Sequence, residues 1–138
     1  MNQRLALDIR LKAPKPAASE VAIARNNLGL TLGGLGRYGE AEELLRLAFE
    51  ADVAEYGRGE FGQTISEHNL GATLIELGRY KEAKDLIQES LDIRSKLLGT
   101  GNPITSVFLG SLARWHVAQH DYDSAESIFR QALPYPHQ

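Results

Sequence analysis

The stretch NLGLTLGGLGRYGEA at residues 27–41 returns 42 residues later as NLGATLIELGRYKEA at 69–83. Asn27-Leu28-Gly29 becomes Asn69-Leu70-Gly71, Thr31-Leu32 becomes Thr73-Leu74, and Leu35-Gly36-Arg37-Tyr38 becomes Leu77-Gly78-Arg79-Tyr80. The same offset carries Gly57 and Gly59 onto Gly99 and Gly101. A further step of 42 reaches Leu112-Ala113, Tyr122, Ala125 and Ile128, with His120 where Gly78 stood. One register held over so many positions marks an array of like units, each a supersecondary element that needs its neighbour to bury an apolar face.

Working back toward the start, Leu91-Asp92-Ile93-Arg94 corresponds at twice the period to Leu7-Asp8-Ile9-Arg10, and Lys96 to Lys12. The first dozen residues therefore read as the second helix of a unit whose first helix is missing. Residues 1–18 form this helix and a linker, 19–61 the first full unit, 62–103 the second and 104–138 the third, in a single array.

Within each unit the apolar period is helical. Leu28, Leu32 and Leu35, like Leu70, Leu74 and Leu77, follow i, i+4, i+7. Beyond the Gly-Arg-Tyr corner, Ala41, Leu44, Leu45 and Ala48 form a second stripe, repeated by Ala83, Leu86, Ile87 and Leu91. Ser19 is a candidate cap for the first full helix, and Asn102-Pro103 supplies a cap and an N1 proline. Pro14 and Pro16 separate the opening helix, and Pro134 and Pro136 end the last. The pattern predicts a helix over 3–12, then pairs at 20–35 and 39–55, 63–77 and 81–97, 104–119 and 123–133. Gly29, Gly71 and Ala113 stand opposite Ala41, Ala83 and Ala125, so the two helices of a pair can approach closely as an antiparallel hairpin. Tyr38, Tyr80 and Tyr122 are expected to wedge behind the corners, ring inward and hydroxyl outward.

At 138 residues the chain is long enough to bury a core unaided. It has no cysteine, which excludes disulfides and thiolate metal sites and suits a reducing cytosol. Its net charge of -3, with acids and bases interleaved, argues against a nucleic-acid partner. No apolar run reaches the roughly 20 residues of a membrane span, and the start lacks a signal-peptide core, so a cytoplasmic location is expected.

These residues resemble the tetratricopeptide repeat, whose pattern sets Leu-Gly, an aromatic or apolar residue, Gly-x-Tyr and two spaced alanines in a 34-residue unit. The 42-residue unit, with its longer second helix and its Tyr56-Gly57 or Leu98-Gly99 ending, resembles the kinesin light chain type, as found in bacterial signalling proteins. The resemblance implies an all-α, right-handed superhelical stack of antiparallel helix pairs, an α-solenoid of about seven helices. It also implies a protein-interaction module that holds a peptide or protein in a concave groove lined by first helices. The alternatives are a structural or self-assembly segment of a longer array, or the regulatory arm of a larger signalling protein.

Carried over by position, the groove candidates are Asn26, Asn27, Leu30 and Gly33, then His68, Asn69, Ala72, Ile75 and Glu76, then Gly110, Ser111, Arg114 and Val117. Asn27 and Asn69 match the asparagine typical of the long unit, and Ser111 departs from it. An asparagine amide suits the backbone of an extended ligand, but it serves equally to bridge neighbouring helices. One subfamily clamps a terminal carboxylate with cationic residues; the matching positions here are Leu30, Asn69, Val107 and Ser111, so that clamp is missing. Glu76 and Arg114 favour a ligand of mixed charge instead.

Catalytic readings are weak. His116 and His120 have an i, i+4 spacing, but the intervening Val117-Ala118-Gln119 is no zinc-protease motif, so a packing residue and a turn residue are expected. Glu42, Glu43 and Glu50 read as a solvated face, and Asp121 and Asp123 as acids at a helix start. Gly33-Gly34-Leu35-Gly36 lacks the strand and the Lys-Ser/Thr of a phosphate loop. Its paired glycines favour early fraying of the helix over close approach of a ligand backbone. No enzyme activity, cofactor or metal is expected. Both ends of the array read as uncapped, which makes a homo-oligomer possible through Ile128, Phe129 and Leu133. Pro134-Tyr135-Pro136 folding back over that face is the other option.

Overall fold

The computed structural model describes residues 18–99 and 101–132. Six α-helices follow one another: α1 (Ala18–Gly34), α2 (Tyr38–Tyr56), α3 (Thr64–Glu76), α4 (Tyr80–Leu98), α5 (Pro103–Ala118) and α6 (Tyr122–Ala132), with a 3₁₀ turn at Phe61–Gln63 before α3. The helix expected over 3–12 lies outside the described residues. Each odd-numbered helix packs on the next as a hairpin, and each hairpin stacks on the following one through α2–α3 and α4–α5. This is the α-solenoid that the 42-residue period predicts, with no strand among the described residues.

The corners show why the period is so legible. After α1, the Gly36 amide donates to the Gly33 carbonyl and the Arg37 amide to that of Leu32, at 3.0 and 2.9 Å. The pattern recurs at Gly78 and Arg79, then at His120 and Asp121. Such a closure needs a left-handed residue, and Gly36, Gly78 and His120 have φ of 79°, 76° and 61°. His120 thus occupies a glycine's place at some cost in backbone strain. The helix continues through Gly34 rather than fraying before it, because the Leu35 amide still reaches the Thr31 carbonyl.

Close approach within the hairpins follows from the small residues. A methyl group added to Gly29 would lie 2.7 Å from Leu45 Cγ, and one added to Gly71 would lie 2.7 Å from Ile87 Cγ1. Ala41 and Ala83 are fully buried opposite, and in the third hairpin Ala113 is buried against the side that carries Ala125, itself buried. One apolar cluster spans the first two hairpins around Leu28, Leu45, Leu70 and Leu74, and a second joins Ile87 and Leu91 to Phe108, Leu109 and Leu112. Outside the core, Arg46 and Arg79 each contact both Glu42 and Glu82, tying α2 to α4.

Four local expectations change. Leu35 falls in the corner and is 66% exposed, and Leu77 follows it there, so the i+7 position of the first-helix stripe is not core. Ser19 lies inside α1, which begins one residue earlier, whereas Asn102 does cap α5 by accepting from the Ile104 amide at 2.9 Å. Glu42 belongs to the half-buried ion network, while Glu43 and Glu50 are solvated. The tyrosines diverge: Tyr38 is half-buried and Tyr122 is 59% exposed, since no later helix among the described residues covers it.

Candidate functional site

The first helices α1, α3 and α5 lie side by side along one face, and a continuous polar seam crosses them. Asn69 Nδ2 donates to Asn26 Oδ1 at 3.1 Å. Asn69 Oδ1 lies 3.2 Å from His68 Nδ1, and His68 Nε2 lies 2.6 Å from Ser111 Oγ. Arg114 donates to that same hydroxyl oxygen at 3.2 Å. Burial pushes His68 down to about 4, against the Asn69 hydrogen bond and with help from the Arg114 and Arg94 charges. Its ring is therefore neutral at ordinary pH and carries one proton. Asn69 Oδ1 can only accept, so the ring proton sits on Nδ1 facing it, and Nε2 accepts the hydroxyl hydrogen of Ser111. Every donor in the seam then points the same way, toward Asn26, whose own Nδ2 hydrogens are left at the end.

Aromatic stacking fixes the seam from below. The His68 ring lies parallel to Phe108 at 4.1 Å, and the Arg94 guanidinium sits 5.0 Å from Phe108 and 4.3 Å from Phe61. Arg94 is buried, donates to Thr64 Oγ1 at 2.9 Å, and has no carboxylate partner among the described residues. Desolvation lowers its pKa, and the ring faces supply its compensation.

Beside the seam is a cavity of about 280 Å³ that brings together Leu30, Gly33, His68, Asn69, Ala72, Glu76 and Arg114. Seven of the sequence candidates thus line one cavity. Neither Glu76 nor Arg114 makes an ion pair among the described residues. Asn26 joins through its bond to Asn69, and Ser111 is buried within the seam. The remaining candidates part company. Asn27 is exposed beyond the cavity; the helix-bridging amides are Asn69 and Asn26, one position off the pairing read from the sequence. Ile75 packs against both core clusters, and Val117 lines a different cleft, on α6.

The sequence pattern of the tetratricopeptide repeat matches residues 63–135, and a second tetratricopeptide pattern matches residues 21–51. The chain belongs to the tetratricopeptide repeat family. Two solved structures share its fold. BtubC (BKLC) from P. vanneervenii is 18% identical with a TM-score of 0.78, covering 94% of this chain and 51% of its own. A Podospora anserina protein assigned as a kinesin light chain, with nearly identical TPR-like repeats, is 22% identical with a TM-score of 0.73, covering 94% and 61%. This chain therefore spans between half and two thirds of either protein. No curated protein matches it in sequence. Tetratricopeptide arrays are scaffolds that present extended surfaces to other proteins.

Two features of this tetratricopeptide array escaped the sequence reading. One is the Phe61–Arg94–Phe108–His68 stack, which joins four segments and has no linear signature. The other is a row of β-branched residues, Ile23, Ile65 and Val107, each 42 residues from the next and each exposed, at 61%, 41% and 60%. The repeat arithmetic held that signal, but only burial separates it from core. The paired histidines find other partners: His116 Nδ1 lies 3.2 Å from Asp121, and His120 Nδ1 lies 2.9 Å from the Tyr122 hydroxyl. Ile128 leans on the core, Phe129 is 44% exposed, and Leu133 lies outside the described residues. No described helix is long and apolar enough to cross a membrane.

Proposed function

We propose that this tetratricopeptide array is a protein-interaction module that holds a peptide, or a segment of another protein, against the concave face of α1, α3 and α5. The cavity beside the polar seam carries the reading. It sets apolar Leu30 and Ala72 beside Glu76 and Arg114, opposite charges that form no ion pair with each other or with another charged group among the described residues. Hydrogen bonds within the seam, which leave only the Asn26 Nδ2 hydrogens at its end, hold these side chains in place before a ligand docks, so little order is lost on binding. A chain segment of mixed charge satisfies both charged groups at once.

Peptides selected from a displayed random library provide the test. Arg114→Glu or Glu76→Arg should weaken the selected peptides by about tenfold, the loss expected for one reversed contact of about 1.4 kcal/mol. Lys81→Glu, on an exposed part of a second helix, should leave them unchanged. Equal binding to Arg114→Glu and wild type would sink the proposal.

A second reading, self-association, has one observation in its favour. The α4 face of the second hairpin is covered by α5: Trp115 Nε1 donates to the Tyr80 carbonyl at 2.7 Å, and Lys84 lies over the indole. The matching face of the third hairpin, with Val117, Tyr122 and Phe129, is an apolar cleft that no helix among the described residues covers. If a second copy covers it, light scattering will show a dimer that Phe129→Asp dissociates; a monomer at all concentrations rules it out.

A further inference from the structure

Ile23, Ile65 and Val107 occupy the same place near the start of α1, α3 and α5, one on each repeat. An exposed aliphatic side chain at one position is ordinary, but three in register across a binding face form a ladder. Ile23 and Ile65 also form two walls of a cavity of about 260 Å³, with Asn26 at its side and Tyr56 across from it. The polar seam runs alongside, one helical turn further on, from Asn26 to Ser111.

The rungs set a period. Packed helices lie about 8–10 Å apart, so a ligand crossing them meets one aliphatic rung at each such step. A β-strand returns a side chain to the same face every ~6.7 Å, which misses that spacing. A polyproline II chain returns every third residue, about 9.3 Å, which matches it. A helix with an apolar residue every seventh position also matches, at about 10.5 Å. The hydrogen-bonding groups decide between the two. Near the ladder the face offers both donors and acceptors: the Asn26 Nδ2 hydrogens at the end of the seam and, two turns along, the Arg114 guanidinium, against the carboxylates of Asp52 and Glu76. A helix has already spent its backbone groups internally, whereas a polyproline II backbone keeps every carbonyl and every non-proline amide open to such partners.

We infer that the ligand of this face is a segment in polyproline II conformation with an aliphatic side chain or proline at every third residue, its three apolar positions seated on Ile23, Ile65 and Val107. This deepens the groove proposal and rests on it. Proline suits the face because it presets the φ of polyproline II and keeps its carbonyl open to accept.

The probe is a blocked heptapeptide, Leu-Pro-Ser-Leu-Pro-Ser-Leu, followed by methyl NMR of the full chain. Its controls are an isomer with leucine at alternate positions and a longer helical peptide with leucine at every seventh. The heptapeptide should shift the methyl signals of Ile23, Ile65 and Val107 together and bind about tenfold tighter than the isomer. Ile65→Ser should abolish that preference, with circular dichroism confirming the fold, since the side chain is exposed. Equal or tighter binding of either control overturns the inference, as does a heptapeptide that moves none of the three methyls. The groove proposal fails separately: library-selected peptides that perturb Glu76 and Arg114 but not the ladder leave it standing and remove only the polyproline ligand.

Discussion

Glu67 is fully buried on α3, and its Oε1 accepts from Gln63 Nε2 at 3.0 Å. Its Oε2 is buried and meets no N–H donor, and Glu89, which Arg58 holds with two hydrogen bonds, lies within hydrogen-bonding reach of the carboxyl. Burial, together with the hydrogen bond to Glu89, pushes the Glu67 carboxyl up to about 9, while the same bond lowers Glu89. The pair shares one proton, which Glu67 keeps and donates. A carboxyl whose folded pKa is raised contributes stability that is complete below its ordinary value of 4.5 and is lost as pH rises through about 9. His68 has the opposite sense: its lowered pKa makes stability fall as pH drops from 6.5 toward about 4. The two slopes oppose each other between about 4.5 and 6.5, so the decline should emerge only above that range, at up to about 1.4 kcal/mol per pH unit. Glu67→Gln keeps both hydrogen bonds and removes the titration. Urea denaturation across pH should then show a flat alkaline limb and an unmasked acid limb belonging to His68. An alkaline slope unchanged in Glu67→Gln would refute the shared proton.

Among the helices, glycines that look alike in sequence do unlike work. Gly71→Ala would drive a methyl against Ile87 Cγ1 and the Ala83 carbonyl, so a cost of about 1–3 kcal/mol should outweigh the helix-propensity gain. Gly33→Ala meets nothing within 4 Å and should raise stability by up to about 1 kcal/mol. Denaturation midpoints moving in the same direction for both would contradict the close-approach account. The helices themselves were legible because their causes are local and repeated: leucines at helical spacing, a left-handed corner, a small residue at each hairpin contact. Leu35 was misread because the Gly36 corner ends the helix just before its side chain can turn inward. Ser19 was misread because nothing local distinguishes a cap from a first-turn serine.

For the whole molecule, legibility depends on how contacts cross between repeats. The cavity of Leu30, Asn69, Glu76 and Arg114 could be placed because each residue sits at a fixed position on a first helix. The bond from Asn69 to Asn26, and that from His68 to Ser111, run 43 residues apart and fall between the registers that a 42-residue repeat aligns. Arg94 and Phe61 come from outside the first helices and meet Phe108 only through stacking of the hairpins. A partner of this array is expected to lie along α1, α3 and α5 rather than on the second helices. Amide hydrogen exchange, with and without a saturating library-selected peptide, measures this directly. Added protection should concentrate in residues 22–34, 65–76 and 107–118, with α2 and α4 little changed along their outer faces. Protection confined to α2, α4 and α6, with the first helices exchanging as in the free chain, would contradict it.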